Sequence, residues 1–167
     1  VELKAKRNSL HPWIFENMVN RPKTKLPPGT AVTVVTREGQ FVGRGIYNPF
    51  STVAVRLLSE LEQEKLTRDF FHKKFRLAKS LREDILGISK SSDSYRLIHG
   101  EGDGLSGLII DKYSDLFIVE PYSAGYVRVF EWVVHVLREL YPGCRVALRP
   151  DAKQAEREGV TKPIERL

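Results

Sequence analysis

The sequence predicts an α+β protein made of two units that are joined by an amphipathic helix. Three observations lead to this fold class. Residues 30–58 contain three runs that are rich in β-branched side chains, residues 62–85 have helical periodicity, and strand-like runs return after residue 93. The chain has 167 residues and 41% hydrophobic content, which is enough for one compact core or two small ones.

The front unit is expected to be a meander of three strands. The run TAVTVVT alternates and is followed by the turn REGQ, and then come the strand-like runs FVGRG and STVAVRLL. The intervening YNPF favours a turn, because Pro49 cannot donate a hydrogen bond to a sheet. Upstream, HPWIFENMV predicts a short helix or turn that packs Trp13, Ile14 and Phe15 on the sheet.

The joining segment, residues 62–85, predicts an amphipathic helix. Its apolar stripe consists of Leu66, Phe70, Leu77, Leu81 and Ile85, with Phe71, Phe75 and Ala78 at the margin. The other side carries cations and one histidine, and it is either a solvated face or a nucleic-acid contact; its members are Lys65, Arg68, His72, Lys73, Arg76 and Lys79. The polar run ISKSSDS at 88–94 then predicts a domain boundary.

The run GDGLSG at 102–107 has the G-x-G-x-x-G spacing of a dinucleotide-binding loop. That fingerprint requires a helix directly after the loop, whereas LIIDKYSDLFIVEPY is two β-rich runs and leaves no room for one. Glu101 and Asp103 would also repel a phosphate. We therefore predict a tight turn between antiparallel strands, in which glycine supplies a positive φ.

The second unit continues with a helix over residues 125–140 and a last strand at CRVALRP. Its element order is either strand, strand, strand, helix, strand or strand, strand, helix, strand, strand. Trp132 falls on the polar side of this helix, so it either meets another domain or packs on the flank of its own helix. The charged residues after Pro150 are expected to have no core of their own.

The net charge of +6 is unevenly distributed. Residues 1–30 carry six basic side chains against two acidic ones, whereas residues 93–122 carry two against six. A basic front of this kind favours a polyanionic partner, because Lys and Arg near phosphates release condensed counterions. An ordinary solvated basic surface is the alternative.

Several classes of protein are disfavoured by the sequence. No apolar run approaches the roughly 20 residues that span a bilayer, and no signal peptide opens the chain, so we expect a cytoplasmic protein. Cys144 cannot form an internal disulfide and is expected to be a buried structural thiol. The four histidines lack ligand spacing and no catalytic motif is found, so we expect no metal site and a binder rather than a catalyst.

The chain contains three motifs whose order and spacing are informative together. They are RNSLHPWIFENMV, then GRGIYNPFSTVAVRLL, then SYRLIHGEGDGLSGLIIDKY. In these motifs the chain resembles the N-terminal half of the ribosomal RNA large-subunit methyltransferase I family, S-adenosylmethionine (SAM)-dependent enzymes that make 5-methylcytosine. The resemblance implies a PUA-like RNA-binding β-barrel followed by a strand-strand-helix-strand-strand α/β domain. We expect the PUA-like domain at 1–61, the connecting helix and linker at 62–92, the middle domain at 93–151 and a charged tail at 152–167.

Such family members continue into a Rossmann-like catalytic domain with a D-P-P motif and a nucleophilic cysteine, and neither motif is found in this sequence. Cytosine C5 becomes reactive only after a thiolate adds at C6, so this chemistry needs that cysteine. Because the chain also opens on Val, we expect a fragment that binds no cofactor itself, whose full-length parent uses SAM.

The resemblance implies that ribosomal RNA meets the barrel through basic residues near the first strand and through the glycine-flanked Arg44. Tyr47 is a candidate for stacking on a base, with core packing as the alternative. The complete set of predicted RNA-binding residues is Lys4, Lys6, Arg7, Arg44, Tyr47, Arg68, Arg76 and Lys79.

Two other functions remain open at this point. The chain is alternatively a noncatalytic PUA-like adaptor in translation or in protein–protein contacts, with Trp132 on its docking face. A small-molecule enzyme that uses the glycine loop is the third possibility.

Overall fold

The computed structural model describes residues 1–5, 7 and 9–158, and within them the chain forms two β-sheets. The first sheet, which we call the barrel, is nearly closed and has the strand order β2-β6-β5-β4-β1-β3. Its strands are β1 Glu2–Leu3, β2 Trp13–Ile14, β3 Val19–Asn20, β4 Thr30–Val35, β5 Phe41–Tyr47 and β6 Val55–Ser59. The second sheet has the order β10-β9-β8-β7, and together the two sheets confirm the predicted α+β class.

Two irregularities and a glycine bend β5 around the barrel. The pairing of β4 with β5 shifts between Val34 and Val35, and that of β5 with β6 shifts between Arg44 and Gly45. A Cβ at Gly45 would lie 2.3 Å from the carbonyl oxygen of Arg56. Because a bulge increases local bend and twist, and only glycine permits so close an approach, these features allow the short barrel to curve toward closure.

The segment HPWIFENMV differs from the predicted helix or turn. Only Glu16–Met18 forms a 3₁₀ helix, whereas Trp13–Ile14 and Val19–Asn20 are strands. Trp13 and Ile14 pair with Arg56 and Val55, because β6 offers its remaining edge to them. Ile14 is fully buried, but Phe15 is 39% exposed and therefore lies outside the core.

The predicted joining helix is helix α1, Arg68–Ser80, which is followed by a π-helical turn at Leu81–Ile85. Phe70, Phe71, Phe75 and Ala78 are buried, whereas Leu77 is 58% exposed, and Leu81 and Ile85 are exposed too. The buried stripe is thus centred on the residues that the sequence placed at the margin. Three phenylalanines set the orientation of the helix because they bury more apolar area than the leucines.

The second sheet consists of β7 Ser94–His99, β8 Leu108–Tyr113, β9 Leu116–Pro121 and β10 Arg145–Leu148. The first three strands are antiparallel neighbours, and β10 lies parallel to β9 after two helices, α2 Ala124–Arg128 and α3 Phe130–Leu140. Of the two orders left open above, the structure therefore has three strands, a helical segment and a strand. The single predicted helix is divided at Val129, whose ψ of 19° is not helical.

The main core lies between one face of the second sheet and the helices α1 and α3. Leu97, Ile110, Phe117 and Val146 of the sheet are buried there against Phe75 of α1 and against α3. Ile46 and Leu58 of the barrel belong to the same cluster. Trp132 packs on α1, with its ring 6.2 Å from that of Phe71, and it is 39% exposed.

The glycine-rich run is a tight turn, as predicted. A 3₁₀ helix at Gly100–Asp103 joins the antiparallel strands β7 and β8, and Gly104 and Gly107 have φ values of 67° and 81°. Asp103 stabilises the turn, because its carboxylate accepts the backbone N–H of His99 and pairs with Arg82 at 2.5 Å. The glycines and Asp103 thus stabilise the turn itself.

The charged tail begins with α4, Ala152–Arg157, and then contributes one buried side chain. Glu158 is 2% exposed, and its carboxylate accepts a 2.7 Å hydrogen bond from Asn48 at the end of β5. The expectation of a tail without a core is therefore wrong at Glu158, while residues 159–167 of that prediction lie outside the described residues.

Within the described part of the chain, no three His, Cys, Asp or Glu side chains group in a way that could hold a metal ion. No helix among these residues has the length and apolar character needed to cross a bilayer. Cys144 is buried, and burial raises the pKa of its thiol, which agrees with the predicted structural role.

A partly buried carboxylate, Glu83, ties α1 to the second sheet and α3. It accepts 2.5 Å hydrogen bonds from the hydroxyls of Tyr95 and Tyr141 and pairs with Lys79. Burial raises the pKa of Glu83, but the hydrogen bonds from Lys79, Tyr141 and Tyr95 outweigh it and leave the pKa below its usual value.

We predict that Glu83→Gln lowers the free energy of unfolding by roughly 1–3 kcal/mol at neutral pH, because two hydroxyls and an ammonium lose a charged acceptor. A carboxyl with a lowered pKa stabilises the fold above its ordinary pKa, and that contribution disappears as the pH falls through the lowered value. Urea unfolding from pH 7 to pH 3 should therefore show wild type and variant converging in acid. Glu131→Gln on exposed α3 surface is the matched control, and an equal loss there would contradict the assignment.

Candidate nucleic-acid interface

The predicted residues of the first segment have different surroundings. Lys4 is exposed just after β1, whereas Lys6 lies outside the described residues. The guanidinium of Arg7 is mostly buried; it pairs with Glu60 at 3.0 Å and donates to the carbonyl oxygen of His11. Arg7 therefore links the segment before β2 to the segment after β6, and its guanidinium already forms an ion pair with Glu60.

Arg44 on β5 is also engaged within the protein. Its guanidinium donates 2.8 Å hydrogen bonds to Thr33 and to the carbonyl oxygen of Glu62, and it lies 5.6 Å from the ring centre of Phe41. Arg7 and Arg44 thus each have one partner in the segment after β6, namely Glu60 for Arg7 and the carbonyl oxygen of Glu62 for Arg44. Tyr47 is 4% exposed and packs in the barrel core, so the proposed stacking on a base is wrong for this conformation.

The three predicted residues of α1 are not equivalent either. Arg68 contacts the imidazole of His135 on α3 at 3.1 Å, and Lys79 pairs with Glu83 and lies over the ring of Tyr141 at 4.9 Å. Arg76 is exposed and forms no ion pair with another described residue. No contact among the described residues joins these α1 side chains to Arg7 or Arg44, so the helix and the barrel present separate cations.

The loop between β3 and β4 carries the most available positive charge on the barrel. Arg21, Lys23 and Lys25 are exposed within five residues of one another, and none has an ion-pair partner among the described residues. Residues 17–37 contain no acidic side chain. The sequence analysis counted these cations among the basic residues of 1–30 but did not select them. The prolines around them, Pro22, Pro27 and Pro28, disfavour regular structure and were the signal that could have done so.

A second group of functional side chains lies where the barrel meets the glycine turn. The carboxylate of Glu101 accepts hydrogen bonds from the indole N–H of Trp13 at 2.9 Å and from the hydroxyl of Ser106 at 2.8 Å. The guanidinium of Arg56 lies 4.0 Å from the same oxygen and 5.2 Å from the ring centre of Trp13. Sequence reasoning missed this cluster, because its members come from strands far apart in the chain.

Arg56 also faces the tail. Its side chain is 8% exposed and lies 3.9 Å from the carboxylate of Glu158. The Glu158 carboxylate in turn approaches the backbone N–H of Ala124 at the start of α2, at 3.4 Å. One buried cation therefore sits between an acid of the glycine turn and an acid of the tail, and it links the barrel to both.

The two carboxylates that face Arg56 differ in exposure. Glu101 is 38% exposed, and the hydrogen bonds from Trp13 and Ser106 both reach its Oε1. Burial raises the pKa of Glu101, but the hydrogen bonds from Ser106, the backbone and Trp13 outweigh it, and the pKa is lowered. Glu101 is therefore an anion at neutral pH.

We predict that Arg56→Met lowers the free energy of unfolding by roughly 3 kcal/mol, because two carboxylates then face a partly dry junction without their shared cation. Arg96→Met is the control: its pair with Asp111 is more exposed, so the loss should stay below about 1 kcal/mol. Chemical denaturation measures both. Equal losses in the two variants would show that Arg56 does not hold the junction.

Comparison with known proteins identifies the barrel first. Residues 3–60 match the model of a PUA-like domain. Two curated relatives are ribosomal RNA large subunit methyltransferase I of Aliivibrio fischeri strain MJ11, 35% identical over 90% of this chain, and that of Erwinia tasmaniensis, 33% identical over 94%. The chain spans only 38% and 40% of the length of these relatives.

Solved structures share the fold. The SMU.776 protein, assigned as a methyltransferase and crystallised with SAH, has a TM-score of 0.72 at 21% identity, over 86% of this chain and 37% of its own. A protein of Streptococcus mutans assigned as a SAM-dependent methyltransferase has a TM-score of 0.69 at 21% identity, over 83% and 36%. Residues 3–60 are therefore a PUA-like domain, and the chain is homologous over most of its length to ribosomal RNA large subunit methyltransferase I.

Proposed function

We propose that this chain is the RNA-binding part of a SAM-dependent methyltransferase that modifies cytosine C5 in ribosomal RNA. The observation that carries the proposal is the run of free cations on a PUA-like barrel whose curated relatives are named ribosomal RNA methyltransferases. A cytoplasmic location and ribosomal RNA as partner belong to the same proposal.

The free cations are the residues that we assign to the RNA backbone. Arg21, Lys23 and Lys25, together with the exposed Lys4 after β1, can approach phosphates without first breaking an ion pair to another described residue. Each phosphate that they neutralise releases a counterion, so affinity falls as salt rises. Arg7 and Arg44 do not contact the RNA in this proposal. Their hydrogen bonds stabilise the conformation of the barrel surface, and the partners are His11, Glu60, Thr33 and Glu62.

The glycine turn, as the described residues form it, is not a cradle for SAM. In the glycine turn, the N–H groups of Gly104 and Leu105 bond to carbonyl oxygens of the turn itself, and Asp103 is paired with Arg82. Cys144, whose thiol has a raised pKa and is buried, does not supply the thiolate that attack on cytosine C6 requires. We therefore assign SAM and the nucleophile of the parent protein to residues outside this chain, as the partial coverage of the relatives allows.

We predict that isothermal titration of this chain with SAM gives no heat of binding, because the glycine turn bonds the N–H groups of Gly104 and Leu105 internally. The same titration with a single-stranded RNA should give binding at low salt. Saturable SAM binding would instead favour the small-molecule enzyme considered from the sequence.

We predict that the triple variant Arg21→Ala, Lys23→Ala, Lys25→Ala weakens RNA binding and flattens its dependence on salt. The slope of log affinity against log salt should fall by about 0.7 for each phosphate that is no longer neutralised, or by about 2 for three phosphates. Fluorescence anisotropy from 50 to 300 mM salt measures the slope, and the melting temperature should stay near that of wild type because the three side chains are exposed.

The matched control removes three exposed cations that lie outside the barrel sheet and the β3–β4 loop, as Lys90→Ala, Arg138→Ala, Lys153→Ala. This variant has the same net charge as the test variant, and its slope should differ from that of wild type by less than about 0.7. Equal slopes in the two triple variants would assign the affinity to net charge and remove the β3–β4 loop from the RNA interface.

A further inference from the structure

A cavity of about 270 Å³ lies at the junction between the barrel and the glycine turn. Trp13 and Arg56 line it from the barrel, while His99, Glu101 and Tyr122 line it from the second sheet. Pockets for drug-sized ligands usually measure roughly 300–1,000 Å³. The smaller volume suits one flat ring system rather than a whole nucleotide.

The walls of the cavity have the character of a stacking site. Trp13 and Tyr122 are partly exposed aromatic rings, and the exposed imidazole of His99 adds a third π-system. Trp13 is held firmly, since its indole N–H bonds to Glu101 and to Ser106 at 3.2 Å and Arg56 packs over its face. A fixed ring of this kind loses little conformational entropy when a base stacks on it.

The polar groups of the cavity favour a base that can donate a hydrogen bond. Glu101 is ionised at neutral pH, and a carboxylate, with about four lone-pair sites, can accept an N–H donor beside those from Trp13 and Ser106. The exocyclic amino group of cytosine is such a donor, whereas the corresponding O4 of uracil is an acceptor that a carboxylate repels. Uracil can still donate its N3–H to Glu101 and present O4 to the guanidinium of Arg56 in the same cavity, so the carboxylate gives a preference for cytosine and does not exclude uracil.

Cationic and aromatic residues also lie beside the cavity. The ring of His11 is 4.7 Å from that of Trp13, and Arg7 donates to the carbonyl oxygen of His11. A strand that reaches His11 can thus place an unstacked base against Trp13.

We infer that the junction cavity binds a single unstacked base of an RNA strand, with a preference for a base that carries an exocyclic amino group, such as cytosine, over uracil. The base stacks on Tyr122, contacts the Trp13 ring on the side that Arg56 does not cover, and donates its amino group to Glu101. This inference rests on the proposed RNA-binding function and adds a base-specific contact to the backbone contacts of the β3–β4 loop.

The test uses three single-stranded RNA decamers that have equal phosphate numbers: oligo(C), oligo(U) and a fully abasic strand. Anisotropy should give the order oligo(C), oligo(U), abasic, with roughly tenfold between the first and the last, the scale of one stacked and hydrogen-bonded base. In the Trp132→Phe variant, in which Trp13 is the remaining tryptophan, oligo(C) should quench the fluorescence and the abasic strand should not.

Two substitutions separate stacking from hydrogen bonding. Tyr122→Leu should lower the affinity for oligo(C) severalfold, while Tyr122→Phe, which keeps the ring, should bind as wild type does. Glu101→Gln should reduce the preference for oligo(C) over oligo(U), because an amide accepts less strongly than a carboxylate and can also donate to O4. The Tyr122 pair keeps the test valid if the loss of the Glu101 charge disturbs folding.

The outcomes distinguish this inference from the proposed function. If all three decamers bind equally and Tyr122→Leu has no effect, the cavity is not a base site, although the backbone interface stands. If no decamer binds at low salt, both proposals fail. Free cytidine that binds as tightly as oligo(C) would overturn the assignment to RNA and indicate a small-molecule site.

Discussion

The arrangement of this protein depends on one buried guanidinium. Arg56 extends from β6 of the barrel and lies between Glu101 of the glycine turn and Glu158 of the tail, at 4.0 and 3.9 Å. Burying a cation costs desolvation energy, which these two carboxylates and the ring of Trp13 offset, so separation of the barrel from its neighbours would take both anions away from a buried charge. The shared apolar contacts of Ile46 and Leu58 with the main core act in the same direction. The barrel and the second sheet are therefore held in one orientation.

Contacts within the turn and with Arg56 explain why acidic residues accompany the glycines in the run GDGLSG and just before it. Its glycines supply the turn, Asp103 closes the turn by binding the His99 N–H, and Glu101 reaches across to Trp13 and Arg56. The spacing resembles that of a dinucleotide loop because both need tight turns, but here Asp103 stabilises the turn and Glu101 contacts the barrel. The cations of the barrel also fall into two groups. Arg7 and Arg44 are bonded to other residues of the protein, while Arg21, Lys23 and Lys25 are exposed and available to a polyanion.

Local patterns in the sequence predicted the elements well and their contacts poorly. Alternation predicted β4 and β5, and the missing crossover helix showed correctly that GDGLSG is a turn. Helical periodicity located α1 but centred its buried stripe on Leu77 instead of Phe75, because periodicity does not weigh the larger area of an aromatic ring. Trp13, Arg56, Glu101 and Glu158 come together only through the pairing of β2 with β6 and the return of the tail, and no local pattern encodes such contacts. Tyr47 was misassigned for a similar reason, since its burial depends on the closure of the barrel.

The central claim is that the basic barrel front and the adjacent junction form one RNA-binding surface. The most direct measurement is amide and indole N–H chemical-shift mapping of the ¹⁵N-labelled chain during titration with oligo(C). The account predicts shifts at Lys4, in the loop at 21–25 and at the indole N–H of Trp13. Shifts confined to the face of the second sheet that carries Arg96, Tyr113 and Arg145, with the loop and Trp13 unchanged, would contradict it.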